Sequence, residues 1–194
     1  DVLVVNDPYR GGTHINDISF IKPIYYKKEL IGYGVSRGHW MDLGGGGAGG
    51  QAFSTHIAAE GLRLPPLKIF TGGKINEDLL AIMLNNSRTP HFIKGDLQAH
   101  LGALRGAEQE LQRACDRYGV DTVKKAMKKI QAYTEKMIRE SISKIPNGVY
   151  EAEDYADTDG VSHERVKLKV RLEIQDTSIK VDFTGTDPMC QGAI

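Results

Sequence analysis

The sequence predicts an α+β fold, with strand-forming segments at both ends of the chain and long amphipathic helices between them. Three observations predict it. Runs of β-branched and aromatic residues recur within the first 35 positions, apolar residues recur at helical spacing in the middle, and strict apolar alternation returns near the end. We therefore expect a β-rich region 1–72, a helical hairpin in 73–146 and antiparallel C-terminal strands in 147–194.

The first region contains three strand-like runs and a glycine-rich loop. Val2 to Val5 is apolar and β-branched, Ile18 to Tyr26 is a second such run, and Leu30 to Val35 follows a Lys-Lys-Glu turn. The last two runs therefore predict a β-hairpin. Six of the seven residues from Gly44 to Gly50 are glycine, so a loop without regular structure is expected there.

The middle of the chain predicts three helices. Asn76 can cap a short one, Thr89-Pro90 has the form of a helix start, and Gly119 supplies a stop. Asp121 opens another long helix. The apolar stripes of the two long helices are Ile93, Leu97, Leu101, Leu104, Leu111, Cys115 and Tyr118, and then Val123, Met127, Ile130, Met137 and Ile145. Two long antiparallel helices with a short turn between them would form a hairpin.

Composition excludes several functional classes. Lys+Arg and Asp+Glu both number 25, so no basic field indicates nucleic-acid binding. No apolar run approaches the ~20 residues of a membrane span. Cys115 and Cys190 are far apart, which argues against a disulfide framework and fits a cytoplasmic protein. The chain begins inside a strand-like run without an initiator Met, and we interpret it as a fragment of a larger polypeptide, truncated at both ends.

Polar residues with metal-ligand chemistry concentrate near the first hairpin. His14 and Asp17 are three apart in a turn-rich segment, and His39 lies where the third strand should end. A hairpin whose ends return to one place could bring the three together. Two imidazoles and one carboxylate suit Mn, Fe or Zn and leave open positions for water or substrate. The alternative is that they are ordinary polar residues of the surface and its turns.

Several motifs together resemble one family. "NDPYRGGTHINDI", "GHWMDLGG", "EGLRLPPLKI", "NSRTP", "GDLQAHLGALRGAEQEL" and "DFTGTDP" occur in the order found in the hydantoinase B/oxoprolinase family. That family includes B subunits of ATP-dependent cyclic-amide hydrolases and alpha subunits of acetone and acetophenone carboxylases. The resemblance covers essentially the whole chain.

The resemblance implies roles for individual residues. In metal-bearing members the equivalents of His14, Asp17 and His39 bind Mn or Zn, and a further Asp ligand would lie before Asp1. Asp42 follows His39 by three residues and is our candidate for an orienting carboxylate or proton acceptor, because metal-bound His commonly needs such a partner. A cap or turn residue at the mouth of the glycine-rich loop is the alternative for Asp42.

The resemblance also places the nucleotide elsewhere. The glycine-rich loop lacks the Gly-Lys-Ser/Thr ending of a phosphate-binding loop, and family members use a separate A-type ATPase subunit. We therefore expect a fragment of a metal-bearing B subunit in a hetero-oligomer, acting on a phosphorylated cyclic amide and inactive alone. One alternative is a carboxylase alpha subunit that takes a ketone-derived intermediate. The other is a metal-free structural or assembly module.

Overall fold

The computed structural model describes residues 1–49 and 54–192, and the chain divides into two compact units, Asp1–Val123 and Lys124–Ile194. The strands are β1 Val2–Val5, β2 Asp17–Tyr26, β3 Glu29–His39, β4 Leu67–Thr71, β5 Lys74–Ile75, β6 Gly148–Ala156, β7 Val166–Gln175 and β8 Ser178–Asp182. The α-helices are α1 Glu77–Asn85, α2 Pro90–Tyr118 and α3 Val120–Ile142. The predicted α+β class is confirmed.

The first unit is built on a five-stranded antiparallel sheet with the strand order β3-β2-β1-β4-β5. The β2–β3 hairpin predicted from the sequence forms its long edge, and its pairing runs from Tyr26 opposite Glu29 to Asp17 opposite His39. Lys27 closes the turn in the left-handed region with φ 56°. The hairpin thus brings the beginning of β2 and the end of β3 to the same place.

Helix α2 packs against the β2–β3 hairpin. A Cβ atom at Gly34 would lie 3.1 Å from the Leu104 side chain, and the His100 ring stacks on Phe20 with centroids 4.8 Å apart. The core beneath the helices is formed by buried residues of the strands, of α1 and α2, and of the connection between β3 and β4. They are Val2, Val4, Ile18, Phe20, Trp40, Leu43, Leu64, Ile69, Leu79, Met83, Ile93, Leu97, Leu101 and Leu104.

The helix ends follow the capping residues of the sequence. The Asn76 side chain accepts a hydrogen bond from the Leu79 N–H at 3.0 Å, as an N-cap does. Pro90 starts α2, and Gly119 ends it with φ 82°, a value that favours glycine. The buried stripe of α2 runs from Ile93 to Cys115, whereas Tyr118 is 56% exposed.

The second unit contains most of α3 and a three-stranded antiparallel sheet with the order β6-β7-β8. The alternation of β7 puts its apolar residues on one face of the sheet and its charged residues on the other. On the charged face, Arg171 Nε lies 3.7 Å from a Glu151 carboxylate oxygen. Ile174 is buried, while Leu168 on the same face is 52% exposed.

The stripe of α3 is largely exposed: Val123 is buried, but Ile130 is 65% exposed. Helix α2 lies in the first unit and nearly all of α3 in the second, so the predicted helical hairpin and the three-region division stay predictions. Gly50, the last residue of the predicted glycine-rich loop, and residues 51–53 after it lie outside the described residues.

Candidate functional site

The three predicted ligands meet where the β2–β3 hairpin opens. Asp17 begins β2, His39 ends β3, and they are the last residue pair of that ladder. His14 precedes Asp17 by one turn, because the Asp17 N–H donates to the His14 carbonyl at 3.0 Å. The turn brings the His14 side chain back toward Asp17, as the three-residue spacing predicted.

Asp17 is the centre of this cluster. Its Oδ1 lies 2.8 Å from His39 Nδ1, and its Oδ2 lies 3.0 Å from His14 Nδ1. Thr13 Oγ1 donates a further hydrogen bond to Oδ2 at 2.5 Å. The two imidazole rings are 6.5 Å apart between centroids and nearly perpendicular. A single carboxylate therefore links both histidines.

The electrostatics of the cluster favour an ionised Asp17. Burial alone would raise its pKa, but hydrogen bonds from Thr13, His39 and His14 outweigh that effect and hold the pKa well below its usual range. The side chain of Asp17 is 18% exposed, compared with 79% for His14 and 53% for His39. The cluster is thus an anion with two solvent-accessible imidazoles around it.

The chemistry of these three side chains suits a divalent metal, although their donor atoms face one another and are not arranged around a common point. Two imidazoles and a carboxylate are ligands that Mn and Zn accept. Within the described part of the chain, no group of three or more His, Cys, Asp or Glu side chains could hold a metal ion as placed. Both Nδ1 atoms face Asp17, which leaves both Nε2 atoms with the lone pairs that a metal needs. An ion could be held after rotation of Asp17, or by the Nε2 atoms with Asp17 as their orienting carboxylate.

Asp42, for which an orienting role beside His39 and a turn role were both predicted, is held by hydrogen bonds from two loops. It is fully buried, and its Oδ1 accepts hydrogen bonds from the Gly44 N–H at 3.0 Å and from Arg88 Nη1 at 2.9 Å. Its Oδ2 accepts the Arg88 N–H at 2.6 Å. The carboxylate is therefore committed to the connection between α1 and α2, while His39 uses Asp17 instead. This geometry favours the turn role for Asp42 over that of a partner of His39 or a proton acceptor.

A buried network supports the end of β3. Trp40 follows His39 directly, and its backbone N–H donates to the Asn16 carbonyl at 2.8 Å. The Asn16 side chain donates back to the Trp40 carbonyl at 2.7 Å. The indole N–H of Trp40 donates to Nε2 of His100 at 3.1 Å, and His100 Nδ1 lies 2.8 Å from Ser36 Oγ. These contacts fix Asn16, which precedes Asp17, and Trp40, which follows His39.

His100 lies on the buried face of α2, and this position is the only signal for it in the sequence. Because Nε2 accepts from Trp40, the neutral ring must carry its proton on Nδ1 and donate it to Ser36. Burial lowers the pKa of His100, although Asp96 opposes the effect. The ring is therefore held neutral in the network.

The loop that carries His14 is held by a buried asparagine. The Asn6 side chain donates to the Ile15 carbonyl at 2.6 Å and to the Leu62 carbonyl at 2.9 Å, and it accepts from the Leu64 N–H at 2.6 Å. Gly12 packs directly on this residue, since a Cβ atom there would lie 2.3 Å from the Asn6 carbonyl oxygen. Close backbone packing thus determines the path of the chain into the site.

Among the described residues, no helix is long and apolar enough to cross a membrane.

Comparison with known proteins agrees with the resemblance seen in the motifs. The hydantoinase B/oxoprolinase profile matches residues 1–194. A protein of Pseudomonas sp. (strain NS671), provisionally named as the B subunit of a D-/L-hydantoinase, is 34% identical over 97% of this chain and 33% of its own length. The chain therefore spans about a third of the length of this curated relative.

Two solved structures share the fold. The ATP-dependent caprolactamase from Pseudomonas jessenii is 32% identical, with a TM-score of 0.82 over 93% of this chain and 31% of the other. Nucleotide-free acetone carboxylase has a TM-score of 0.85 over 96% of this chain and 26% of the other. At 19% identity the second likeness concerns the fold alone. The profile match over the whole chain and its agreement with the motifs lead to one conclusion: the chain belongs to the hydantoinase B/oxoprolinase family.

Proposed function

We propose that this chain is part of the metal-bearing B subunit of an ATP-dependent cyclic-amide hydrolase of the hydantoinase/5-oxoprolinase type. The observation that carries the proposal is the convergence of His14 and His39 on the Asp17 carboxylate, within a chain of this family. The similarity to an ATP-dependent caprolactamase supports a cyclic amide as substrate. Because the chain spans about a third of such relatives, the activity would belong to the whole subunit in its complex.

In this proposal His14, Asp17 and His39 hold Mn or Zn. Such an ion would lower the pKa of a bound water, which supplies a nucleophile near neutral pH. The chain's own residues position the ligands. Asp17 contacts both imidazoles, and the pairing of Asn16 with Trp40 holds β2 and β3 together next to Asp17 and His39. The nucleotide would be bound by an A-type ATPase partner, which would phosphorylate the amide before it reaches this subunit.

Metal analysis of the full-length subunit in its complex tests the proposal. We expect about one Mn or Zn per subunit, and loss of most of it in His14→Ala and in His39→Ala. His163→Ala is the matched control, because His163 is exposed and lies in the second unit. Stoichiometric metal in both site variants would reject the assignment. Absence of metal from the wild type would favour a metal-free assembly module.

A carboxylase is the second candidate, since the fold is also that of acetone carboxylase. There the same residues would face a ketone-derived intermediate and activated bicarbonate. Assays of the complex with ATP separate the two candidates, using 5-oxoproline or a hydantoin in one arm and acetone with bicarbonate in the other. We expect turnover of a cyclic amide. Turnover of the ketone alone would reject the first candidate.

A further inference from the structure

An exposed arginine lies next to the pair of Asp17 and His39 on the β2–β3 hairpin. Ser19 and Arg37 form the next pair of the ladder on the same face of the sheet, because side chains alternate along a strand. Each is two residues from a predicted ligand, which corresponds to about 6.5–7 Å along the strand. Helix α2 packs against the opposite face of the hairpin, so the side chain of Arg37 is on the accessible side.

Two neutral oxygens hold the Arg37 guanidinium in place. Its Nε donates to Ser19 Oγ at 2.7 Å, and its Nη2 donates to the Gly11 carbonyl at 3.0 Å. Gly11 belongs to the loop that leads to His14, so the guanidinium bridges this loop and the hairpin. Within residues 1–49 and 54–192 the side chain makes no other hydrogen bond. Three of its five N–H donors, including both on Nη1, are therefore available to a ligand.

The positive charge of Arg37 has no acidic partner in the described part of the chain. Two other arginines of this region differ from it: the Nε atoms of Arg10 and Arg63 lie 3.9 Å and 3.8 Å from the Asp7 carboxylate. A guanidinium that is fixed by neutral acceptors keeps its full charge for an anion. Its planar fork of N–H groups matches two oxygens of a phosphate. Arg37 therefore has both the charge and the geometry of a phosphate-binding residue.

We propose that Arg37 binds the phosphate group of the phosphorylated cyclic amide through the N–H groups of Nη1 and Nη2. This inference rests on the proposed function, in which the amide reaches this subunit already phosphorylated on its oxygen, and it gives that phosphate a place in the same site. A phosphate held at Arg37 directs the carbon next to it along the hairpin toward Asp17 and His39. Arg37 is thus a substrate-binding residue that orients the reacting carbon.

Binding of inorganic phosphate to the full-length subunit tests this contact. The metal is first removed with a chelator and the ATPase partner is left out, so that neither a metal ion nor a nucleotide site binds the anion. We expect Arg37→Gln to raise the Kd for phosphate at least about 10-fold, as for the loss of a hydrogen bond between charged groups. Arg37→Lys should raise it less, because the charge remains while the fork is lost.

Arg105→Gln is the matched control. Arg105 is an exposed arginine of the same unit, but it belongs to α2, on the other side of the hairpin. Its replacement removes the same charge and should leave the Kd for phosphate unchanged. Equal affinities of the wild type and Arg37→Gln would overturn the role of Arg37. Equal losses in Arg37→Gln and Arg105→Gln would overturn it too, because they would show an effect of net charge alone.

The complete complex gives a second readout. A phosphorylated amide that is held less tightly can lose its phosphate to water before its C–N bond is hydrolysed, which returns the cyclic amide and releases inorganic phosphate. Arg37→Gln should therefore consume more ATP per amide hydrolysed than the wild type and Arg105→Gln do, and an unchanged ratio would contradict the proposal. A wild-type complex that turns over no cyclic amide would instead reject the proposed function and the phosphorylated amide as ligand. The phosphate site at Arg37 would then still be judged by the binding measurements.

Discussion

Trp40 donates its indole N–H to Nε2 of His100 across 3.1 Å, and this bond ties the residue that follows His39 to the middle of α2. Both side chains are buried, so neither group has water as an alternative partner. The position of the β3 end therefore depends on a helix residue far away in the sequence.

Replacement of His100 by Ala should destabilise the first unit and weaken the site. The change leaves the Trp40 indole N–H unpaired and opens a cavity, which together cost roughly 2–4 kcal/mol in the free energy of unfolding. Denaturant unfolding measures the loss. His91→Ala is the control, because His91 is exposed on the same helix. Equal stability of the two variants would contradict the network.

The neutral state of His100 predicts a pH dependence of stability. Its pKa is lowered on folding from an ordinary value of 6.5, so the unfolded chain takes up the proton first as the pH falls. The stabilising contribution is complete above about pH 6.5 and is lost as the pH falls through the folded pKa. Unfolding curves between about pH 5 and pH 8 should therefore show a slope: the free energy of unfolding falls as the pH falls below about 6.5. His100→Gln, which cannot take up a proton there, should remove it, and an unchanged slope would argue against a neutral buried ring.

Gly12 should not tolerate a side chain. A Cβ atom at this position would lie 2.3 Å from the Asn6 carbonyl oxygen, so the loop carrying His14 would have to move. We expect Gly12→Ala to lower the free energy of unfolding by about 3 kcal/mol. Gly102→Ala is the opposite control: its Cβ would contact nothing within 4 Å in the middle of α2, and it should stabilise the protein by up to about 1 kcal/mol. Similar effects of both substitutions would contradict the packing of Gly12.

Asp42→Asn should act on stability and leave the metal content unchanged. The neutral amide weakens the contacts with Arg88 and the Gly44 N–H, at a cost of about 1–3 kcal/mol. Metal analysis and denaturant unfolding of the same preparations test both parts. A variant of full stability that is nevertheless catalytically inactive would restore the proton-acceptor role predicted from the sequence.

The arrangement of the candidate ligands could be predicted because hairpin geometry is simple. A turn at Lys27 brings the two strand ends together, but unbroken pairing from it would place Asp17 opposite Gly38. An irregularity between Ile24 and Tyr25 shifts the register by one residue and pairs Asp17 with His39, and the sequence does not reveal this shift. The three-residue spacing of His14 and Asp17 in a turn is equally local. Capping by Asn76 and the stop at Gly119 also depend on neighbouring residues alone.

The remaining contacts depend on residues that are distant in the sequence. Asp42 follows the end of a strand, where period-two alternation no longer applies, and its partner Arg88 lies 46 positions away. The helical pattern places His100 on the inner face of α2, but its bond to Trp40 spans 60 positions. Such partners are determined by tertiary packing, which a single sequence does not reveal.

Anomalous scattering from crystals of the full-length subunit tests the central claim most directly. Data collected at the Mn and Zn absorption edges should give one strong peak in contact with His14 and His39, about 2.0–2.2 Å from an imidazole nitrogen of each. Asp17 should coordinate the ion or orient the two rings. A fully occupied metal peak elsewhere, with the two imidazoles still hydrogen-bonded only to Asp17, would contradict the account.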